Sequence, residues 1–596
     1  MNSPSDEYKR RHEARLRMRA ERERVHIRIG NFKLIVIASF LALAILAFWK
    51  HVISGYWVII PVVAYAALAI WHELVIRARR HAEIAAAFYE RGLARIEDRW
   101  SGTGETGERF RDPDHVYTDD IDIFASGGLF QLLSAARTPM GEKCLAHWLA
   151  EPSSVSAIRE RHELVRELRD KVDLREDLAL IGEDMRSRLG PEELAPWAEK
   201  PVMLPELGLR WIVIALAILA VASIVLWFVH GDFWPLMALL LINGAVYGWL
   251  RKRTKATIGG MGSNAEGVVL FSQILARIER ENFASKRLVE LQGKLKDLGK
   301  SASRAVARLA RLIYWIDAAD SYGMKLAKVP LLYSVQLGYA SEAWRQRWGH
   351  RMREWIEIVG EVEALLSLAA YSYEHPNDPF PEFIEGAKTE ACFAGEELGH
   401  PLIPVARCVR NSMRLGEGTR VLLVSGSNMS GKSTLLRTVG INTVLAMAGA
   451  PIRGKSLCLS PLRLGTRLRS SDSLQEGRSN FYAEILRIRQ VFALAEGEMP
   501  LLFLLDELLE GTNSHDRCVG AEALLRQLIE RHAIGLVTTH DLALTAITAT
   551  LDGAMRNTHF EDQIAHGEMN FDYVLRDGIV PKSNALELMR WIGLKV

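Results

Sequence analysis

The chain has 596 residues, enough for more than one hydrophobic core, and its 74 Lys and Arg against 72 Asp and Glu leave a formal net charge of +2. That balance excludes a protein that selects partners by global charge, so an anionic partner has to be met by a local stripe. The five cysteines, Cys144, Cys392, Cys408, Cys458 and Cys518, form no CxxC pair, which argues against a zinc site or a disulfide scaffold and fits a reducing compartment.

Charge is unevenly placed along the chain. Residues 1–33 are helix-prone and basic, with Lys9, Arg10, Arg11, Arg15, Arg17, Arg19, Arg22, Arg24, Arg28 and Lys33 set among glutamates. Two uses fit such a segment: a solvated stop signal for insertion, which is favoured, or a face lying on an anionic leaflet. Four charge-free apolar runs follow, at 34–49, 56–71, 211–229 and 234–250, and they pair across the short loops 50–55 and 230–233. They read as four transmembrane helices in two hairpins, over 34–71 and 211–250.

Arg28, Lys33, Arg77, Arg79, Arg80, Arg210, Arg251, Lys252, Arg253 and Lys255 crowd the outer ends, whereas the loops hold a single lysine. The positive-inside bias therefore predicts a multi-pass protein of the cytoplasmic (inner) membrane, with its N-terminus and large soluble parts in the cytoplasm. Trp49, Trp71, Trp211 and Trp249 sit where interfacial aromatics belong. The first run begins too late and lacks the small-residue pattern of a cleavable signal.

Between the hairpins, 72–210 is a charged helical region. The second span is expected to continue as helix beyond residue 72, and 119–152 to form short helical pieces, one capped by Thr138 with Pro139 at its first position and Gly141 allowing close packing. Residues 251–380 continue the helical part. Within it, 344–355 (WRQRWGHRMREW) sets tryptophans among arginines, either to meet lipid or nucleic-acid phosphates or, as favoured, to pack as an ordinary helix with a solvated face. Three prolines at 375–383 mark a boundary. From 385 to 596, leucine and β-branched runs alternate with helices, the pattern of an α/β domain.

The chemistry lies there. Residues 420–445 read as strand, loop and helix around VSGSNMSGKST (424–434), which fits G-x-x-x-x-G-K-S in its required context. Gly426 and Gly431 let backbone N–H groups wrap phosphate oxygens at a helix N-terminus, Lys432 can reach the β and γ phosphates, and Ser433 can ligate Mg²⁺. A second apolar strand ends in Asp506-Glu507. Asp506 is placed to hold Mg²⁺ through water and Glu507 to orient or deprotonate the hydrolytic water. A third strand, 534–541, ends in His540, placed to sense the γ-phosphate.

Together with SSDSLQEGRSNFYAEILRI (470–488), DELLEGTNSHDR (506–517) and TTHD (538–541), this loop closely resembles the ATPase domain of the MutS DNA mismatch-repair family, an ABC-type P-loop ATPase. Asn428 and Met429 resemble the family's loop residues, and Thr434 completes the nucleotide-binding set. The resemblance implies a homodimer with two composite ATP sites, in which Ser479 reaches the nucleotide bound by the partner; Asp472 and Glu484 resemble polar positions of the same segment, without an assigned catalytic role. Gly399-His400-Pro401 and Asn411 resemble the domain's opening beside the nucleotide base, and 568–593 its closing strand, turn and helix.

Residues 137–152 and 158–165 resemble the family's helical core, or lever. A mismatch-reading domain is not recognisable: Phe88-Tyr89-Glu90 matches the letters of its motif by coincidence, inside a charged helix. The clamp looks absent or shortened, and no added nuclease module is expected after the ATPase domain. The family implies ATP and Mg²⁺ as cofactors and double-stranded DNA as a partner. The leading reading is thus a DNA-binding ATPase at the cytoplasmic membrane face whose dimer opens and closes with ATP and moves the helical arms; the membrane runs leave an alternative, an ATP-gated protein acting on a protein or lipid partner without DNA. A transporter is the weakest reading, because no run carries a charge that marks a polar route.

Overall fold

The computed structural model describes residues 3–183, 194–205, 208–259, 261, 265–297, 300–319, 328–386, 391–427, 429–468, 480–510, 512–551, 553–565 and 568–580. The chain is mostly helical, with an α/β region at its C-terminal end, as the residue patterns predict.

The N-terminal segment and the first apolar run are one helix, α1 (Pro4–Ala44), started by Ser3, whose side chain accepts from the Asp6 N–H, and extended by a π turn at Ile45–Trp49. α2 (Ile59–Ile96) returns antiparallel to it. Its second half does run on past the apolar stretch, because 72–96 holds no break stronger than Gly92. There the missing side chain is required: a Cβ on Gly92 would lie 2.4 Å from the ring of Tyr8. Phe88 and Tyr89 are buried in the same contact, which is a packing role.

α3 (Leu129–Leu133), α4 (Pro139–Ala150), α5 (Val155–Arg169), α6 (Val172–Glu183) and α7 (Leu194–Ala198) build the next layer. Thr138 caps α4, accepting from the Gly141 N–H at 3.2 Å. The apolar helix α8 (Leu209–His230) and α9 (Trp234–Ile258) form the second hairpin. α10 (Ala265–Arg280), α11 (Lys286–Lys294), the two-residue strands β1 (Lys296–Asp297) and β2 (Lys300–Ser301), α12 (Ala302–Ala318), α13 (Tyr333–Trp348) and α14 (Met352–Glu374) complete the helical part.

Three helices are long and apolar enough to cross a membrane, Pro4–Trp49, Gly55–Ile96 and Leu209–His230, judged by length and composition among the described residues. The expected fourth, within α9, is not of that kind. Its apolar run is interrupted by Asn243 and closed by Arg251-Lys252-Arg253. Asn243 is fully buried, its amide donating to the Pro330 carbonyl at 2.8 Å, so one face of α9 packs on protein.

α14 is the axis of the helical core and is buried along most of its length, against α4 and α5. Its buried acids are met by partners from far along the chain. Glu363 accepts from the Thr138 backbone N–H at 3.2 Å and from its hydroxyl, and burial pushes the carboxyl up to about 7. Glu374 receives both arms of Arg95, each at 2.6 Å, and the Tyr8 hydroxyl at 3.3 Å, tying the first hairpin to the helix that leads into the α/β region. The aromatic–basic stretch 344–355 takes the packing alternative. Trp344, Trp348 and Trp355 are buried, and Arg345 is buried with both carbonyls of Lys200 and Pro201 at 2.6 Å.

Beyond the prolines the chain makes two sheets. The smaller, in the order β3-β7-β4-β5, comprises β3 (Glu382–Phe383), β4 (Phe393–Leu398), β5 (Asn411–Leu415) and β7 (Ser456–Leu459). The larger runs β12-β11-β6-β10-β9-β8, with β6 (Val421–Ser425), β8 (Arg463–Arg467), β9 (Leu501–Leu505), β10 (Ile534–Thr539), β11 (Met555–Ala565) and β12 (Glu568–Asp577). β8, β9, β10, β6 and β11 are parallel, and β12 closes the edge antiparallel. β6, β9 and β10 are buried throughout, which is why they read as continuous apolar runs. α15 (Lys432–Ala448), α16 (Asn480–Leu494) and α17 (Ser514–Glu530) connect them. Parallel pairing brings the C-terminal ends of β6, β9 and β10 to one crevice, where such sheets bind ligands.

Candidate functional site

The loop leaving β6 needs backbone that only small or strained residues supply. Gly426 has φ +153° and Gly431 φ +99°, and Met429, exposed, has φ +74°. A side chain on Gly426 would press on Ser430 Oγ at 2.8 Å, and one on Gly431 on the ring of Tyr573 at 3.0 Å. The helix α15 then starts at Lys432 and points its N-terminus into the loop. The Lys432 ammonium is buried and donates to the carbonyls of Gly426 and Ser427, each at 2.8 Å. Burial holds its pKa down, while the charges of Glu507, Asp506 and Glu510 act against that shift. The hydroxyls of Ser427 and Ser430 are buried with no hydrogen-bond partner among the described residues, and Ser433 and Thr434 face the cavity.

β9 delivers the carboxylates. Asp506 is buried and accepts from the Thr538 hydroxyl, and the same oxygen of Thr538 accepts from the Glu507 N–H at 3.0 Å. Glu507 sits in the left-handed region at φ +48°, so its backbone is strained and held by neighbours. His540 Nδ1 lies 3.5 Å from Glu507 Oε1. Burial raises the Glu507 carboxyl, the neighbouring carboxylates Glu510 and Asp506 raise it further, and His540 opposes them. One ligand atom each of Glu507, Glu510 and His540 lie within 4.8 Å of one another.

Arg467, at the end of β8, donates to the carbonyls of Asp506 at 2.5 Å and Glu507 at 3.4 Å, and its guanidinium is 3.5 Å from Glu484. Glu484 in turn accepts from the Leu509 N–H at 2.8 Å, so this glutamate fixes the turn after the acidic pair.

A cavity of about 740 Å³ joins these groups to an apolar end at Leu398, Ile403, Val409 and Tyr573. His400 lines it too; burial pushes its imidazole down to about 4, so it is neutral, and its Nδ1 accepts from the Leu402 N–H at 3.2 Å. Asn411 clips β5 to β12, donating to the Tyr573 carbonyl at 3.0 Å and accepting from the Leu575 N–H at 2.7 Å. The cavity thus has a cationic, N–H-rich cradle, a carboxylate and hydroxyl set suited to a hard oxygen-loving cation, and an apolar slot. Those features fit a nucleoside triphosphate with Mg²⁺, held by Ser433 and Asp506.

Of the residues expected from sequence, Gly426, Met429, Gly431, Lys432, Ser433, Thr434, Asp506, Glu507 and His540 come together here. Asn428, Asp472, Ser479 and the closing segment after residue 580 lie outside the described residues. Sequence reading passed over Thr538, Arg467 and Glu510. The first two bind backbone or carboxylate groups across the sheet, which no local motif announces, although Thr538 lies inside the TTHD stretch.

The helical part grips this site from behind. The Thr466 N–H donates to the Val116 carbonyl at 3.0 Å and the Leu468 N–H to Asp120 at 3.2 Å, while Arg487 donates to the His115 carbonyl at 2.7 Å. Arg437 of α15 pairs with Asp122, and Arg161 donates to the Ala448 carbonyl at 3.0 Å, at the far end of the same helix.

Comparison with known proteins agrees with this layout. Residues 422–595 match the family model of MutS domain V, and residues 115–190 that of MutS domain III. The Endonuclease MutS2 of Thermus thermophilus is 36% identical over 196 residues, which cover 33% of this chain and 25% of that protein. The DNA mismatch repair protein MutS of Staphylococcus aureus is 28% identical over 251 residues, or 42% of this chain and 28% of that protein. The chain therefore aligns with about a quarter of the length of these curated relatives.

Proposed function

The chain belongs to the MutS family through its domains III and V, and from that premise we propose that it is a Mg²⁺-dependent, DNA-binding ATPase working at the cytoplasmic face of a membrane. The observation that carries the proposal is the convergence of Lys432, Ser433, Asp506, Glu507 and His540 at three strand ends around one cavity. ATP is hydrolysed to ADP and phosphate. Water attacks the γ-phosphorus, Glu507 orients it and takes its proton, and the bond to the β–γ bridging oxygen breaks. Lys432 and the loop N–H groups hold the β and γ oxygens, and His540 senses the γ-phosphate beside Glu507. Mg²⁺ on Ser433 and, through water, Asp506 would neutralise the phosphate charge.

Two copies complete each other's sites, with Ser479 of one reaching the nucleotide of the other. Closure on ATP and opening after hydrolysis drive the helical arms through the contacts of 114–122 with β8 and α15. The names of the relatives, a mismatch-repair protein and an endonuclease, are the basis for DNA as the partner. The membrane component rests on the three apolar helices and their basic flanks.

A second reading, an ATP-gated machine acting on a membrane protein or lipid without DNA, is favoured by the same helices and by the burial of the 344–355 aromatics, which removes one candidate nucleic-acid face. The two are separated by ATPase rate and duplex binding of the detergent-solubilised full chain over a salt series. Duplex that binds with nucleotide dependence and alters hydrolysis supports the first; hydrolysis indifferent to every DNA supports the second.

A further inference from the structure

We propose that the end of α12 and the start of α13 form a third membrane contact, in which a stripe of arginines and an aromatic pair bind anionic phospholipid headgroups. The inference rests on the membrane reading above and deepens it. Asn243 lies in the middle of the apolar run of α9, eight residues before Arg251, or about 12 Å at 1.5 Å per residue. Its amide donates to the Pro330 carbonyl at 2.8 Å.

Leu332 and Val335, at the start of α13, are buried in a cluster with Val213 of α8 and Leu250 of α9. If α8 crosses the bilayer with Arg210 at its cytoplasmic end, α9 returns beside it and Arg251 marks the same surface. Pro330 then lies below that surface, in the outer part of a hydrocarbon core roughly 30 Å thick, while Leu332 and Val335, beside Leu250 and Val213, sit at the interface itself.

α12 is tied to this level. The Tyr333 hydroxyl donates to the Trp315 carbonyl at 3.4 Å. Tyr314 and Trp315 pack edge to face at 5.9 Å and are 62% and 51% exposed, although α12 is otherwise buried on its inner side. Arg304, Arg308, Arg311 and Trp315 follow one another at helical spacing and are all exposed, so they share one face. Arg311, four residues above Trp315, stands about 6 Å higher along the axis. An aromatic at the interface with arginines one to three turns above it matches the layering of headgroup over acyl chain.

The test uses the full chain with its five native cysteines changed to alanine, checked for retained ATPase activity and reconstituted into vesicles of phosphatidylcholine with or without phosphatidylglycerol. An environment-sensitive fluorophore is placed at Trp315→Cys, at Leu219→Cys in α8 and at Val289→Cys on α11, and the vesicles carry a quencher on the acyl chain just below the headgroup. Loss of emission at 315 and 219 but not 289 is expected, greater at 315 in the anionic vesicles. Changing Arg304, Arg308 and Arg311 to Gln should abolish that anionic preference.

Quenching at 219 with an aqueous signal at 315 overturns the inference and leaves the membrane reading standing. No quenching at either site removes both. A label at 315 that ignores vesicles but responds to duplex DNA overturns the lipid assignment in favour of a nucleic-acid face. If Trp315→Cys does not fold, Tyr314→Cys carries the same label to the same decision.

Discussion

Thr538 is the residue whose replacement reports most sharply on the site. Its hydroxyl donates to the buried Asp506 carboxylate and accepts from the Glu507 N–H, so a single oxygen holds both acidic residues to β10. Thr538→Val keeps the shape and removes both bonds. A hydrogen bond to a charged group contributes about 1.5–3 kcal/mol, and a buried N–H left unpaired costs about 1–3 kcal/mol. Thr538 is fully buried, so little water replaces them.

The expected loss of stability is about 3 kcal/mol. Glu507, already strained at φ +48°, then loses its anchor. ATP binding through Lys432 and the loop is untouched, so KM for ATP should stay nearly constant while kcat falls about 10- to 100-fold and the Mg²⁺ requirement rises. Thr538→Ser, which keeps the hydroxyl, should restore both. Steady-state ATPase assays across Mg²⁺ concentration, with a melting curve for each variant, measure all of this. A valine variant with kcat within about twofold of the parent and an unchanged Mg²⁺ midpoint would refute the reasoning.

Glu510→Gln removes a neighbouring carboxylate that helps raise the Glu507 carboxyl. Glu507 accepts a proton only when ionised, so activity falls as pH drops through its raised pKa. The variant should move that acid limb of the kcat profile to lower pH, and an unmoved limb would remove Glu507 as the titrating base. His162 and His400 are both buried and pushed down to about 4. Their contribution to stability is complete above the unfolded value near 6.5 and is lost as pH falls from there towards 4, about 3 kcal/mol each. Denaturant midpoints should therefore drop between pH 7 and 5. Gly92→Ala would set a methyl 2.4 Å from the Tyr8 ring. It should cost about 1–3 kcal/mol and loosen the N-terminal third of α1, read as faster proteolysis at the basic residues 9–24.

The grouping of the candidate site's residues was legible because its chemistry is local. A glycine-framed loop, an acidic pair after an apolar strand and a histidine after another each occupy a few consecutive residues, and parallel pairing of buried strands brings them together. The Thr138 cap and the proline boundary are local in the same way. The network of Tyr8, Arg95 and Glu374 is not, since 366 residues separate Tyr8 from Glu374 and neither end carries a pattern.

The fourth membrane run, within α9, is not among the three helices that are apolar and long enough, for a related reason. Composition showed 234–250 as apolar, but Asn243 gains its partner from Pro330, and only the fold turns that side of the helix towards protein. The 344–355 stretch illustrates the converse: its tryptophans, which look like part of a phosphate-binding surface, are buried, and Arg345 is spent on the carbonyls of Lys200 and Pro201, while Arg347 and Arg353 stay exposed.

The central claim is that the cavity at the ends of β6, β9 and β10 hydrolyses ATP and that DNA changes the rate. The most direct test is Mg²⁺-dependent phosphate release by the solubilised full chain, with and without duplex DNA, beside Lys432→Ala and Glu507→Gln. The account predicts hydrolysis that duplex alters and that both variants lose, with Glu507→Gln still binding ATP. Full activity in either variant, no hydrolysis by the parent chain, or a rate that duplex leaves unchanged would contradict it.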